Sequence, residues 1–128
     1  MSIDKNKISK LVTKWRDILR LYNWDMRYIV VDTLKIESEY GNLLIEPDIL
    51  RATLQILKTC PIEDLENFVI HELVHVRLHP LTAYCDDFLE EFFGIRERTI
   101  LRKQLKAKEE NIVENLAKTL LEMNNEEK

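Results

Sequence analysis

Glycine and proline are scarce in this sequence, at 2 and 3 among 128 residues. Folds made of many short strands need turns, and turns draw heavily on those two residues. The shortage therefore disfavours an all-β architecture and favours long helices. Cysteine is equally sparse. Cys60 and Cys85 are too few for the disulfide framework of a small secreted domain, and both read as free thiols of a cytoplasmic protein. No stretch approaches the roughly 18 consecutive apolar residues of a membrane span. The opening Met-Ser-Ile-Asp-Lys-Asn-Lys has no apolar run behind it of the kind a signal peptide carries. A net charge of −4 supplies no overall basic character, which argues against nucleic acid as the partner. What remains is a soluble composition, 45% hydrophobic and 33% charged, able to bury a core in a single domain. That domain is expected to span residues 1–128, with its core over about 7–123 and the C-terminal tail frayed.

Periodicity sets out the elements. Ile8, Leu11, Val12, Trp15, Ile18 and Leu19 recur at three and four, which predicts an amphipathic helix over about 7–21, ended by Tyr22-Asn23-Trp24. Met26, Tyr28 and Val30 alternate with Arg27, Ile29 and Val31, a strand over 25–32. Residues 34–40 are weakly patterned, Gly41-Asn42 reads as a turn, and Leu43-Leu44-Ile45 is a short apolar run. Ala52, Leu54 and Ile56 alternate with Thr53, Gln55 and Leu57, a second strand. Pro61 and the acidic Glu63, Asp64 and Glu66 introduce a helix over 62–78 that is apolar on nearly every side, and Pro80 is expected to close it. Helical text continues to the end, with Asp86-Asp87 as a cap, Gly94 as a residue that either breaks or only weakens the helix, and a last helix carrying Ile112, Val113, Leu116, Leu120 and Met123.

The middle of the apolar helix reads His71-Glu72-Leu73-Val74-His75. Residues four apart on a helix share a face, with Cβ atoms roughly 5–6 Å apart, so both imidazoles can reach one zinc ion. Glu72 is off that face, where it can reach a water at the metal's open position and act as general base. A chance match to the pattern in a chain of this composition has a probability of roughly 1%, so coincidence is a poor account of it. Two histidines in a core helix without such a use would be costly to satisfy.

Catalytic zinc needs a third protein ligand. The metzincin extension, with a third histidine six residues past the second, is absent. His79 continues the stripe, but each four-residue step turns the face by about 40°, so one ion does not easily meet three successive histidines. His79 reads instead as a histidine at a helix end, favoured by the dipole. Glu90, Glu91, Glu97, Glu109, Glu110 and Glu114 are the acidic candidates on the following helix. Among them Glu110 and Glu114 stand four apart on one face flanked by apolar positions, a spacing that allows one to ligate and the other to orient a ligand histidine.

At the run His71-Glu72-Leu73-Val74-His75-Val76-Arg77-Leu78-His79 the sequence resembles small zinc peptidases of the gluzincin type, including ImmA/IrrE-like proteins and short phage-encoded metallopeptidases. The stretch 110–117 is similar to their third-ligand helix. The resemblance implies Glu110 as third ligand, Glu114 as the group behind a ligand histidine, and residues 51–57 as an edge strand that pairs with an extended substrate. It also implies a zincin-like order of helix, small sheet, active helix and ligand helix. The larger gluzincins carry a Tyr or His that stabilises the oxyanion. Tyr40 and Tyr84 are the candidates for that role.

The expectation is then an α+β domain, with a small, mainly antiparallel sheet packed on the active helix. It would be a cytoplasmic zinc metallopeptidase with Zn2+ on His71, His75 and Glu110, with Glu72 as base, and with a protein or peptide as substrate. The rival is a catalytically inactive, zinc-containing binding module for a regulatory or phage protein, for which His79 or Cys85 as fourth ligand would be the sign. Arg96, Arg98, Arg102, Lys103, Lys106 and Lys108 form a basic run interleaved with Glu97, Glu109 and Glu110. It reads as a solvated helix face rather than a nucleic-acid surface, while leaving room for a regulatory partner that is itself bound to DNA.

Overall fold

The fold is taken from a computed structural model that describes residues 4–32 and 40–126. Asp4 caps the first helix, α1 (Lys5–Ile18), by accepting from the Asn6 N–H at 2.9 Å. Its buried face is Ile8, Val12 and Trp15. The helix stops at Ile18 because Arg20 takes a left-handed conformation, φ 58°, that turns the chain. Strands β1 (Asp25–Val31), β2 (Gly41–Glu46) and β3 (Arg51–Leu57) follow, with a single 3-10 turn between the last two. Helices α2 (Ile62–Phe92) and α3 (Ile95–Glu126) complete the order.

The fold is α+β, with a small sheet packed on the helix that carries His71 and His75. The sheet order is β1–β3–β2, so β3 is the central strand. Residues 51–57 are therefore not an edge. Both sides of that strand are occupied, by β1 in parallel and by β2 in antiparallel register. The sheet is mixed rather than mainly antiparallel. A short turn makes β2 and β3 antiparallel, whereas β1 reaches its place beside β3 only after the longer excursion through β2. The weakly patterned residues 34–40 lie outside the described residues, apart from Tyr40. Gly41 and Asn42 are not a turn but the start of β2. Glycine is required there because a Cβ would overlap the Phe68 ring and the Gln55 carbonyl oxygen, so β2 crosses α2 at very close range.

Ala52, Leu54 and Ile56 point from β3 into the core, where they meet Leu65, Val69, Ile70, Leu73 and Val76 of α2 and the buried face of α1. The Trp15 indole N–H donates to Glu66 at 2.8 Å and Lys14 pairs with the same oxygen at 3.0 Å, tying α1 to the start of α2.

Helix α2 does not close at Pro80. It runs on for three more turns, with Pro80 inside it and Asp86-Asp87 in its interior rather than at a cap. An internal proline costs about 3 kcal/mol, which the packed segment before it and the α3 contacts after it outweigh. The Thr82 hydroxyl donates to the His79 carbonyl at 3.2 Å and satisfies one backbone acceptor in that turn. Of the two alternatives at Gly94, a break or a weakening, the break is the one present. It joins α2 to α3, which returns antiparallel and buries Val113 and Ala117 completely. Among the described residues no helix is long and apolar enough to cross a membrane.

Candidate metal centre

The hairpin of α2 and α3 determines what faces the two histidines. His71 and His75 sit one turn apart with ring centroids separated by 5.0 Å. Folding back at Gly94 sets Glu110 opposite them. One of its carboxylate oxygens lies 3.3 Å from His71 Nε2 and the other 3.0 Å from His75 Nε2. The ligand atoms of these three residues all fall within 4.8 Å of one another, and they form the group among the described residues that could hold a metal ion.

Behind His75, the Glu109 carboxylate lies 2.6 Å from Nδ1. A proton on Nδ1, donated to Glu109, leaves Nε2 with its lone pair aimed at Glu110. Burial, followed by the neighbouring charge of His75, holds His71 below the ordinary histidine range, while Glu110 pulls it partly back. Two imidazoles and a carboxylate thus converge on one point. Such a convergence is repulsive unless a proton or a cation stands between the groups.

Of the acidic candidates, the hairpin brings Glu110 and Glu109 to the histidines. Glu114, expected behind a ligand histidine, is exposed and paired with Lys118 at 3.1 Å. It is Glu109 that bonds the ligand ring. Glu109 was visible as one of six glutamates, but the rotation of α3 about its axis, which decides between 109 and 114, depends on how Val113 and Ala117 seat against the core. Glu90 faces Arg98 and Arg102 instead. The basic run is thus partly neutralised within the chain, Arg102 also pairing with Asp86.

His71, Glu72 and His75 line a cleft of about 1140 Å³ whose other walls are β2 and the middle of α3. Glu72, half-buried, reaches that space from the α2 wall. Tyr40 lines the cleft too. The Asp64 carboxylate beside it, more than burial, raises its phenol above the ordinary range, so it stays a protonated donor. Tyr84 does not line the cleft and stands 69% exposed on the far half of α2, which removes it from the oxyanion role. His79 lines the cleft without joining the ligand group. It is not at a helix end, and its ring meets Trp24 edge-on at 6.4 Å. Cys85 and Cys60 are both free and outside the group.

No family model, curated protein or solved structure matches the chain.

Proposed function

We propose that this chain is a zinc-dependent metallopeptidase. The observation that carries the reading is the meeting of Glu110 with His71 and His75 across the hairpin, with Glu72 at the same cleft and a ligand-orienting carboxylate, Glu109, behind His75. Zinc on this donor set would supply Lewis acidity, bringing a water's pKa towards neutral and polarising the scissile carbonyl. Glu72 takes the proton of the attacking water and delivers it to the leaving amine. Glu109 holds the His75 ring in the tautomer that keeps Nε2 free. Tyr40, kept protonated by Asp64, is the candidate donor to the developing oxyanion.

The substrate strand falls to β2 instead of β3. Leu57 donates its N–H to the Tyr40 carbonyl at 2.7 Å. Antiparallel alternation from that pair turns the backbone groups of Asn42, Leu44 and Glu46 towards β3, and those of Gly41, Leu43 and Ile45 outward, along the cleft. An extended peptide can add to that edge as a further strand. The outward Leu43 N–H is held by the Asn42 side chain at 2.7 Å, a stand-in for a peptide carbonyl. A protein substrate, a cytoplasmic setting and a regulatory partner belong to the same reading.

The test is zinc per chain in wild type, Glu110→Ala and Glu72→Gln, followed by peptide hydrolysis. The reading expects about one zinc in wild type, a loss in Glu110→Ala, and zinc retained in Glu72→Gln with hydrolysis lowered by about 10²–10⁴. Wild type that stays zinc-free after reconstitution overturns it. Zinc bound without hydrolysis leaves the inactive binding module.

A further inference from the structure

The second half of α2, beyond Pro80, leaves the core and carries a stripe the site does not use. Leu81, Tyr84, Phe88 and Phe92 are 61%, 69%, 47% and 65% exposed. Their spacing of three and four sets them on one side of the helix. They lie away from Leu89, which is buried, and from Asp86 and Glu90, which bind Arg102 on α3. The Phe88 and Phe92 rings pack together at 4.9 Å. Single exposed apolar residues are ordinary, but a continuous stripe of four is not. With aromatic side chains of about 150–250 Å² each, the stripe and the adjoining Phe93 and Ile95 offer roughly 600 Å², not far below the ~800 Å² per partner of a standard interface.

The ends of the stripe say what covers it. Arg77 precedes Leu81 by four residues and Glu91 follows Phe88 by three, so both continue the same seam. Both are exposed, and neither makes an ion pair among the described residues. Arg77 thus stands before the first apolar residue of the seam, while the exposed Asp87 and Glu91 flank its second half, so one half is positive and the other negative. Such a seam is complementary to itself in antiparallel orientation, since each Arg77 then lies at the other copy's Glu91 end, twice over. That is the pattern of a two-fold contact, in which the same patch serves both partners.

We infer that two copies of this chain associate antiparallel through the Leu81–Tyr84–Phe88–Phe92 seam of α2. Sedimentation equilibrium up to about 100 µM, a range that captures micromolar association, should give twice the monomer mass. Phe88→Glu should weaken association by at least about 30-fold, the effect of losing a central anchor, with an unchanged helical circular dichroism spectrum. Arg77→Glu and Glu91→Arg should each weaken it several-fold, while the two together restore it, because the reversed charges meet again only in the antiparallel arrangement. A monomer at every concentration overturns the inference and leaves the stripe to a partner of different sequence. An unaltered dimer in Phe88→Glu overturns it, as does failure of the double variant to recover what the single ones lose.

Discussion

Helix α2 is one continuous helix with two unlike halves. Before Pro80 its apolar residues are enclosed: Leu65, Val69, Ile70, Leu73 and Val76 are fully buried against the sheet and α1. Beyond it the residues are just as apolar, yet Leu81, Tyr84, Phe88 and Phe92 face solvent. Hydrophobicity is therefore the same signal with two outcomes, decided by what the rest of the chain can reach. The sheet and α1 cover about the first four turns, and α3 covers one side of the remainder. His71 and His75, the two histidines of the candidate site, lie in the first half.

Substitutions can break this comparison directly. Leu73→Ala, in the enclosed half, should destabilise the fold by about 2–5 kcal/mol through lost burial and the cavity it leaves. Phe92→Ala, in the open half, should change the stability of the monomer by no more than about 0.5 kcal/mol. Urea unfolding at low protein concentration reads both, and equal losses would erase the distinction between the halves.

The carboxylates divide in the same way. Glu109→Ala removes the partner of His75 Nδ1 and should weaken zinc binding by about 10–100-fold in a competition titration. Asp86→Asn, in the open half, takes the charge from one partner of a half-exposed Arg102 and should leave stability nearly unchanged and metal affinity untouched. Zinc affinity unchanged in Glu109→Ala would show that the short contact to His75 is incidental.

The thiols give the smallest effect. Burial first, then Asp64 and Glu63, pushes Cys60 up to about 11 from an ordinary 9.0. Cys85, half-buried in the open part of α2, should react with a thiol reagent at pH 8 well before Cys60 does. Because the folded state keeps Cys60 protonated, the unfolded chain ionises first. The stability this provides is complete below about pH 9 and is lost as pH rises towards 11. Equal labelling rates for the two cysteines would contradict that account.

The enclosed half was also the legible one. Strand β3 could be read because alternation and burial coincide at Ala52, Leu54 and Ile56, and the His71–His75 spacing identified a shared face before any fold was known. Strand order was not legible. Nothing local in residues 51–57 says that β1 would pair on one side and β2 on the other, so an edge strand was expected where the central one stands. Pro80 misled for a related reason. A proline reports a local penalty, while the continuation of α2 depends on contacts with α3 that are distant in sequence. The choice of Glu109 over Glu114 behind His75 likewise turns on the seating of Val113 and Ala117.

That seating has a further consequence. Among the described side chains of α3, Val113 and Ala117 are the ones fully buried. The helix that supplies Glu109 and Glu110 is thus tethered to the domain by far less than the helix that supplies the histidines. Local unfolding should follow this inequality, with α3 amides exchanging with deuterium through partial openings that leave the sheet and the first half of α2 protected. On that expectation the two sides of the candidate site fall in different cooperative units, and the site comes apart while the core remains folded.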